Sequence, residues 1–315
     1  MKFKGLISIL LVGVLAFTGL SCKEEGATKV IVFTDGSQYS GEVQDGKPHG
    51  TGVLIWSDSS WYEGEFQNGV RHGKGVQYDR FGYKYYEGGY YQEQFHGEGT
   101  LYWERGIVAY EGQWDHGKRH GEGTLYHKDG NKSYEGSWIN DKMHGKGVLY
   151  DSNRLVIYEG DFVEDRWEGE GTVYDTFGNK VYTGGFLDNK MHGEGTSWSN
   201  TGYKVYAGEF QFGVRHGEGI IYWEDGETIA YEGGFNNDVR SGEGAVYDQQ
   251  GFKIYEGGWL NDKMHGQGTL YWEDGETPAY IGEWKASVRD GQGESFDAEG
   301  ESVYKGNWKN DKPVN

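Results

Sequence analysis

A triplet of Tyr, any residue and Gly recurs twelve times along this chain, beginning at Tyr39, Tyr62, Tyr86, Tyr110, Tyr134, Tyr158, Tyr182, Tyr206, Tyr231, Tyr255, Tyr280 and Tyr304. Self-similarity at a period of about 24 residues restricts the fold to an array of one small supersecondary unit. Ten residues after each of the first eleven tyrosines the chain reads x-Gly-x-Gly. The leading residue is His at positions 49, 72, 96, 120, 144, 192, 216 and 265, and it is replaced by Glu168, Ser241 and Asp290. The Tyr-to-His distance never changes, whereas the distance on to the next Tyr runs from 13 to 15. One connection in each unit is therefore tightly specified. The other tolerates changes of length, as surface loops do.

Each unit reads as two strands. Tyr134, Gly136 and Trp138 share one face of a strand, because side chains alternate. The third of these positions is aromatic in every unit but the first, which has Val43. Ile139-Asn140-Asp141-Lys142-Met143 supplies turn residues, and a second strand is expected over His144 to Tyr150. Asp129-Gly130 and Asp225-Gly226 mark the variable turn. The chain holds 56 Gly, 25 Tyr and 3 Pro in 315 residues. Glycine weakens a strand unless the backbone must approach something closely or take a positive φ. The recurrent glycines are thus expected to make room for Tyr or Trp rings lying across the backbone, burying apolar surface without a second layer.

Units such as Tyr110-Glu111-Gly112-Gln113-Trp114 followed by Arg119-His120-Gly121-Glu122-Gly123-Thr124-Leu125-Tyr126 resemble MORN (membrane occupation and recognition nexus) repeats over residues 39–315. The resemblance implies an all-β fold: an elongated, single-layer antiparallel β-meander of stacked hairpins, with residues 36–315 forming twelve repeats and the last cut short. Most units are one residue longer than the usual repeat, and the extra residue is expected in the variable loop. Two strands per unit at about 4.8 Å spacing give a body of roughly 115 Å.

Ahead of the repeats, Lys2 and Lys4 precede an apolar run from Leu6 to Phe17. That run is too short to span a bilayer as a helix and suits a signal peptide over residues 1–21. Thr18-Gly19-Leu20-Ser21-Cys22 resembles the lipobox of bacterial lipoproteins, with the departure that Gly19 stands where Leu is usual. The resemblance implies cleavage before Cys22, lipid attachment at Cys22, and a tether over residues 22–35. Cys22 is the only cysteine, which leaves no intrachain disulfide. Several acyl chains would anchor the protein firmly in the envelope, by the Lys23 habit in the outer rather than the inner membrane.

The spacing also bears on chemistry. Equivalent histidines in adjacent units would lie about 10 Å apart, while each ligand of one zinc sits about 2 Å from it, so the His row cannot share an ion. His116 and His127 fall outside the motif and read as exposed loop residues. The glutamates Glu63, Glu87, Glu111, Glu135 and Glu159 form a ladder on what is expected to be a flat face without a pocket, unsuited to a carboxylate pair for glycoside hydrolysis. The Gly-x4-Gly-Lys-[Ser/Thr] phosphate loop does not occur, and the periodic Gly-x-Gly carries no dinucleotide meaning. No catalytic, cofactor or metal residue is therefore expected. An enzymatic site would have to arise in the units around Glu168, Ser241 or Asp290, whose departures from His read as drift.

The formal net charge is −20, or −22 once Lys2 and Lys4 are removed, with no basic cluster for nucleic acid. The expected function is a non-enzymatic, envelope-anchored scaffold for a protein partner or for self-association. Two alternatives stand beside it. One is glycan binding through aromatic rows such as Trp103, Trp223 and Trp272, whose other role would be packing over strand ends. The other is phospholipid-headgroup binding, which the negative charge opposes.

Overall fold

The computed structural model describes residues 28–314. They form twenty-five β-strands and one short 3-10 turn, Glu104–Gly106. Each strand pairs antiparallel with the next in sequence, from Thr28–Val32 to Lys312–Val314, in a single open sheet. This is the all-β meander expected from the repeat.

The invariant connection is a two-residue turn. In the fifth unit Lys132–Ile139 and Lys142–Tyr150 are joined by Asn140 and Asp141, with φ of +52° and +71°. Positive φ at both central residues matches the twist of the flanking strands and fixes their register. The second strand therefore starts at Lys142, two residues before the expected His144. The variable connection is a five-residue loop, such as His127–Asn131, in which the Asp129 carboxylate accepts the Asn131 amide.

The extra residue of the longer units is not in that loop. Where the spacing is 13, Leu54–Tyr62 and Ile55–Trp61 pair without a break. Where it is 14, as before Tyr134, Leu125 pairs with Tyr134 and Tyr126 with Lys132, so Ser133 is a β-bulge at the foot of the strand. The units with spacing 15 combine the bulge with a six-residue loop, as between Tyr222 and Ile229. Length variation is thus absorbed first by the ladder, because one unpaired residue adds local twist and leaves the rest of the register intact.

The core lies on one face. Tyr39, Tyr62, Tyr86, Tyr134, Tyr158 and Tyr280 are each 0 % exposed. Tyr134 meets Trp138 of its own unit edge-on at 5.0 Å and Phe162 of the next at 5.2 Å, and the alternation continues to Tyr304 and Trp308. Edge-to-face pairs at this spacing are favoured by the ring quadrupoles. The zipper binds each hairpin to its neighbours. The Tyr134 hydroxyl donates to the Ser137 carbonyl at 3.0 Å, and Trp138 Nε1 to Gly123 O at 3.1 Å, so the polar atoms of these two buried rings are satisfied.

Two glycine roles make this possible. A Cβ on Gly147 would sit 2.5 Å from both Cζ and Cε2 of Tyr134, so the ring lies where a side chain would be. Gly147 pairs with Gly136 on one side and Gly160 on the other, within a cross-strand glycine row that underlies the rings. Gly145 instead adopts φ +62°, at the point where the register shifts between Gly136 and Trp138. The sequence reading anticipated the first role for all three recurrent glycines; the one directly after the His position has the second.

Candidate functional site

Cys22, the expected lipid-attachment residue, lies outside the described residues, as do the apolar run and most of the tether. Among the described residues no helix is long and apolar enough to cross a membrane. The functional surfaces accessible to description are the sheet face opposite the zipper and the two edges where hairpins turn.

The face opposite the aromatic zipper carries acids in two lines separated by the bare backbone of the glycine row. One line contains Glu87 and Glu135. Lys84 Nζ lies 2.5 Å from Glu87 and Lys132 Nζ 2.8 Å from Glu135, and each lysine holds its partner carboxyl below the usual range. The Tyr150 hydroxyl donates to Glu135 at 3.3 Å. The other line contains Glu42, Glu65, Asp161, Glu209 and Glu283. Each of these accepts the backbone amide of the residue just before the next strand's mid-ladder glycine, such as Lys74 N to Glu65 at 2.8 Å. That amide follows the positive-φ glycine, and the carboxylate replaces the ladder bond lost at the shift. This second line, distinct from the ladder of Glu63, Glu87, Glu111, Glu135 and Glu159, is therefore partly structural.

The face is also not flat. Shallow depressions of about 550 Å³ (between Glu194, Glu218 and Glu232) and about 690 Å³ (around Glu135, Glu159 and Glu170) open on it, floored by glycines. The first borders the unit of Ser241 through Glu232, and the second includes the unit of Glu168 through Glu159 and Glu170. At two of the three positions where His is replaced, the residue engages the next hairpin: Glu168 accepts the Asp188 amide at 3.1 Å, and Asp290 pairs with Lys309 Nζ at 2.9 Å. These contacts give both substitutions a packing role that their reading as drift lacked.

The residue just before the His position caps the zipper, and sequence reading did not single it out. At Phe95 and Trp167 it is aromatic and stacks on the Tyr of its own unit, at 3.7 Å and 4.4 Å. At Arg71, Arg119, Arg215, Arg240 and Arg289 a guanidinium covers the rings, 4.1 Å from Trp138 in the case of Arg119. Each of these arginines pairs with an acid at the second turn residue of the following hairpin: Glu93, Asp141, Asp238, Asp262 and Asp311. Where that turn residue is Gly69, Gly117 or Gly213, the lid is Pro48, Phe95 or Met191. The signal was present in the sequence as an Arg followed by an acid 22 or 23 residues later.

The aromatic row proposed for sugars is partly committed elsewhere. Trp103 Nε1 donates to Tyr126 O at 3.1 Å and Trp223 Nε1 to Tyr247 O at 3.2 Å, each reaching the next hairpin. Trp272 is 40 % exposed. The motif histidines line the edge near the tight turns, half-buried, and Nδ1 of His49, His72, His96, His120, His192 and His216 is enclosed without a hydrogen-bond partner.

The MORN repeat family model matches twelve segments, from 39–61 and 62–80 through 280–300 and 304–314. No curated protein matches the chain. Repeats of this kind mediate protein or membrane-lipid interactions.

Proposed function

We propose that this chain, which belongs to the MORN-repeat family, is a non-enzymatic scaffold that is anchored in the bacterial envelope through Cys22 and docks a protein partner on its acidic sheet face. One observation supports the reading above the others. The aromatic face is consumed by the chain's own core, whereas the opposite face repeats a grooved, acidic surface in unit after unit. A repeated surface offers a partner many similar contacts, and their joint engagement gives affinity that a single contact lacks. The excess of acids selects for a partner with basic groups and against anionic headgroups. The lipid anchor rests on the sequence of residues 1–22.

The test uses a photo-crosslinking residue at Glu122 on the acidic face, in intact cells, with and without Cys22→Ala. The expected result is a reproducible crosslinked protein, and a chain that leaves the membrane fraction and loses labelled palmitate when Cys22 is replaced. Crosslinking to lipid alone, or to nothing reproducible, would count against the scaffold. Retained palmitate in Cys22→Ala would count against the anchor.

A further inference from the structure

Equivalent histidines of adjacent units stand about 10 Å apart and cannot share an ion. One place in the array escapes this limit, because a non-equivalent histidine comes alongside. His96 lies in Gln94–Tyr102, Asp115 ends Val108–Asp115, and His116 is the first residue of the turn that follows. The two imidazole rings are 5.2 Å apart. Asp115 Oδ1 lies 2.6 Å from His116 Nδ1 and 3.4 Å from His96 Nδ1. One ligand atom from each of the three residues falls within 4.8 Å of the others. His116, read from sequence as an exposed loop residue, is exposed but belongs to this cluster.

From this juxtaposition we propose that His96, Asp115 and His116 bind a divalent transition ion, with Zn²⁺ the physiological candidate. The donor set of two imidazoles and one carboxylate suits such ions and not Ca²⁺ or Mg²⁺, which take oxygen ligands. Bonds of about 2.0–2.2 Å in a tetrahedron place neighbouring ligand atoms roughly 3.3 Å apart. The His96–Asp115 separation is already of that size. The hydrogen bond between His116 and Asp115 is what the ion would replace, releasing the proton it holds.

Three features favour an ion here over a chance gathering. His96 Nδ1 is enclosed without a hydrogen-bond partner, as in five other units, but here a carboxylate oxygen of Asp115 lies 3.4 Å from it. His116 sits at φ +47° in a two-residue turn, so its backbone is fixed before any ligand arrives. The Tyr91 ring lies 5.5 Å from His96 and 5.7 Å from His116 and walls one side. Among the described residues the set also occurs once: in the other units the corresponding turn residue is Asn at five positions and otherwise Asp45, Gln92, Glu164, Asp188, Phe212 or Ala286, never His and never preceded by Asp. With three protein ligands the fourth position stays open to water or to a donor from a partner, as in zinc sites that are not purely structural.

The experiment titrates the full chain with Zn²⁺ by calorimetry and with Co²⁺ by visible absorption, beside His116→Asn and His96→Ser. Both replacements put in residues that other units carry at those positions, so the hairpin is kept, and an unchanged strand circular dichroism signal checks this. The unsubstituted chain is expected to take up one equivalent, with the intense visible bands of tetrahedral Co²⁺. Each replacement should weaken Zn²⁺ binding by more than about 100-fold, since loss of a partner outside the ligand shell already costs about 10- to 100-fold. Affinity should rise with pH as the ion displaces the imidazole proton. Cys22 and the other histidines are the same in all three proteins, so the difference isolates the cluster. Superimposable isotherms, or no one-equivalent phase in the unsubstituted chain, overturn the proposal.

Discussion

Tyr134, Gly136 and Trp138 point to one face of their strand; Glu135 and Ser137 point to the other. The first face is closed: from Tyr62 to Tyr280 each core tyrosine has an aromatic partner in its own unit and in the next, and the glycines beneath are held bare by the rings themselves. The second face is open, with carboxylates tied to lysines, tyrosine hydroxyls and backbone amides, and with depressions between them. The same backbone serves both. A single-layer sheet thus needs only one of its faces to fold, because the rings lie flat over glycine where a second layer would otherwise be required. The other face is released for contacts outside the chain. Substitutions on the two faces should separate accordingly.

The largest effect is expected from Gly147→Val. Its side chain would occupy the place of the Tyr134 ring, and expelling a buried aromatic costs about 3–5 kcal/mol. The loss should concentrate in the hairpins holding Tyr134 and its neighbours, since each repeat is coupled to those beside it. Hydrogen exchange across units three to seven checks this. Thr124→Val, on the opposite face two strands away, should change protection by no more than about 0.5 kcal/mol. Equal effects from the two would break the comparison.

Alkaline pH attacks the closed face as a whole. Burial raises the hydroxyls of the core tyrosines from Tyr39 to Tyr280; Tyr280 is pushed up to about 12, and Tyr62 and Tyr134 further. An unfolded chain releases these protons near pH 10, whereas the native one retains them. Above pH 10 the unfolded state therefore binds fewer protons, and stability falls as pH rises. Below pH 10 both states are protonated and this contribution is constant. Tyrosinate absorbance of the core should appear together with loss of the sheet's circular dichroism signal, in one steep transition. Core ionisation well ahead of unfolding would show that the rings are not sealed.

The repeat, the two strands per unit and the aromatic face were legible because a periodic pattern repeats the same evidence twelve times. What was not legible depends on register or on neighbours in space. Ser133 is a bulge and not part of a longer loop, since sequence length cannot distinguish an unpaired strand residue from a turn residue. Gly145 takes a positive φ because the ladder shifts there, a feature of pairing with the strand before it. His116 meets His96 only because consecutive turns stack along one edge, which places the first residue of a turn beside the motif His of the preceding unit. The Arg lids are the reverse case: the pairing with an acid one unit on stands in the sequence as a fixed spacing of 22 or 23 residues.

Those lids supply a smaller effect at the margin of the closed face. Arg119 covers Trp138 at 4.1 Å, and its backbone amide donates to Asp141 Oδ1 at 3.0 Å while its side chain pairs with the same carboxylate. Asp141→Ala should cost about 1 kcal/mol, the net worth of such a bond. Arg119→Met should cost less, because Met143, Met191 and Met264 fill the same position elsewhere. A double-mutant cycle on the pair should give a coupling near 1 kcal/mol or below, as partly exposed ion pairs do. A coupling of several kcal/mol would move these arginines from the rim into the core.

The smallest expected effect on folding sharpens the comparison most. Glu111 belongs to the open face, and among the described residues no ion pair includes it. Glu111→Lys should leave unfolding within about 0.5 kcal/mol of the parent, as surface changes away from caps and buried pairs do. If the open face docks a basic partner, the same substitution should weaken that complex, and more so at low salt, where exposed charges are least screened. Stability and binding would then respond to different faces of one strand. A Glu111→Lys chain that is destabilised as strongly as Gly147→Val would mean instead that the acids are part of the fold, and that the face left over for a partner is narrower than the carboxylate lines suggest.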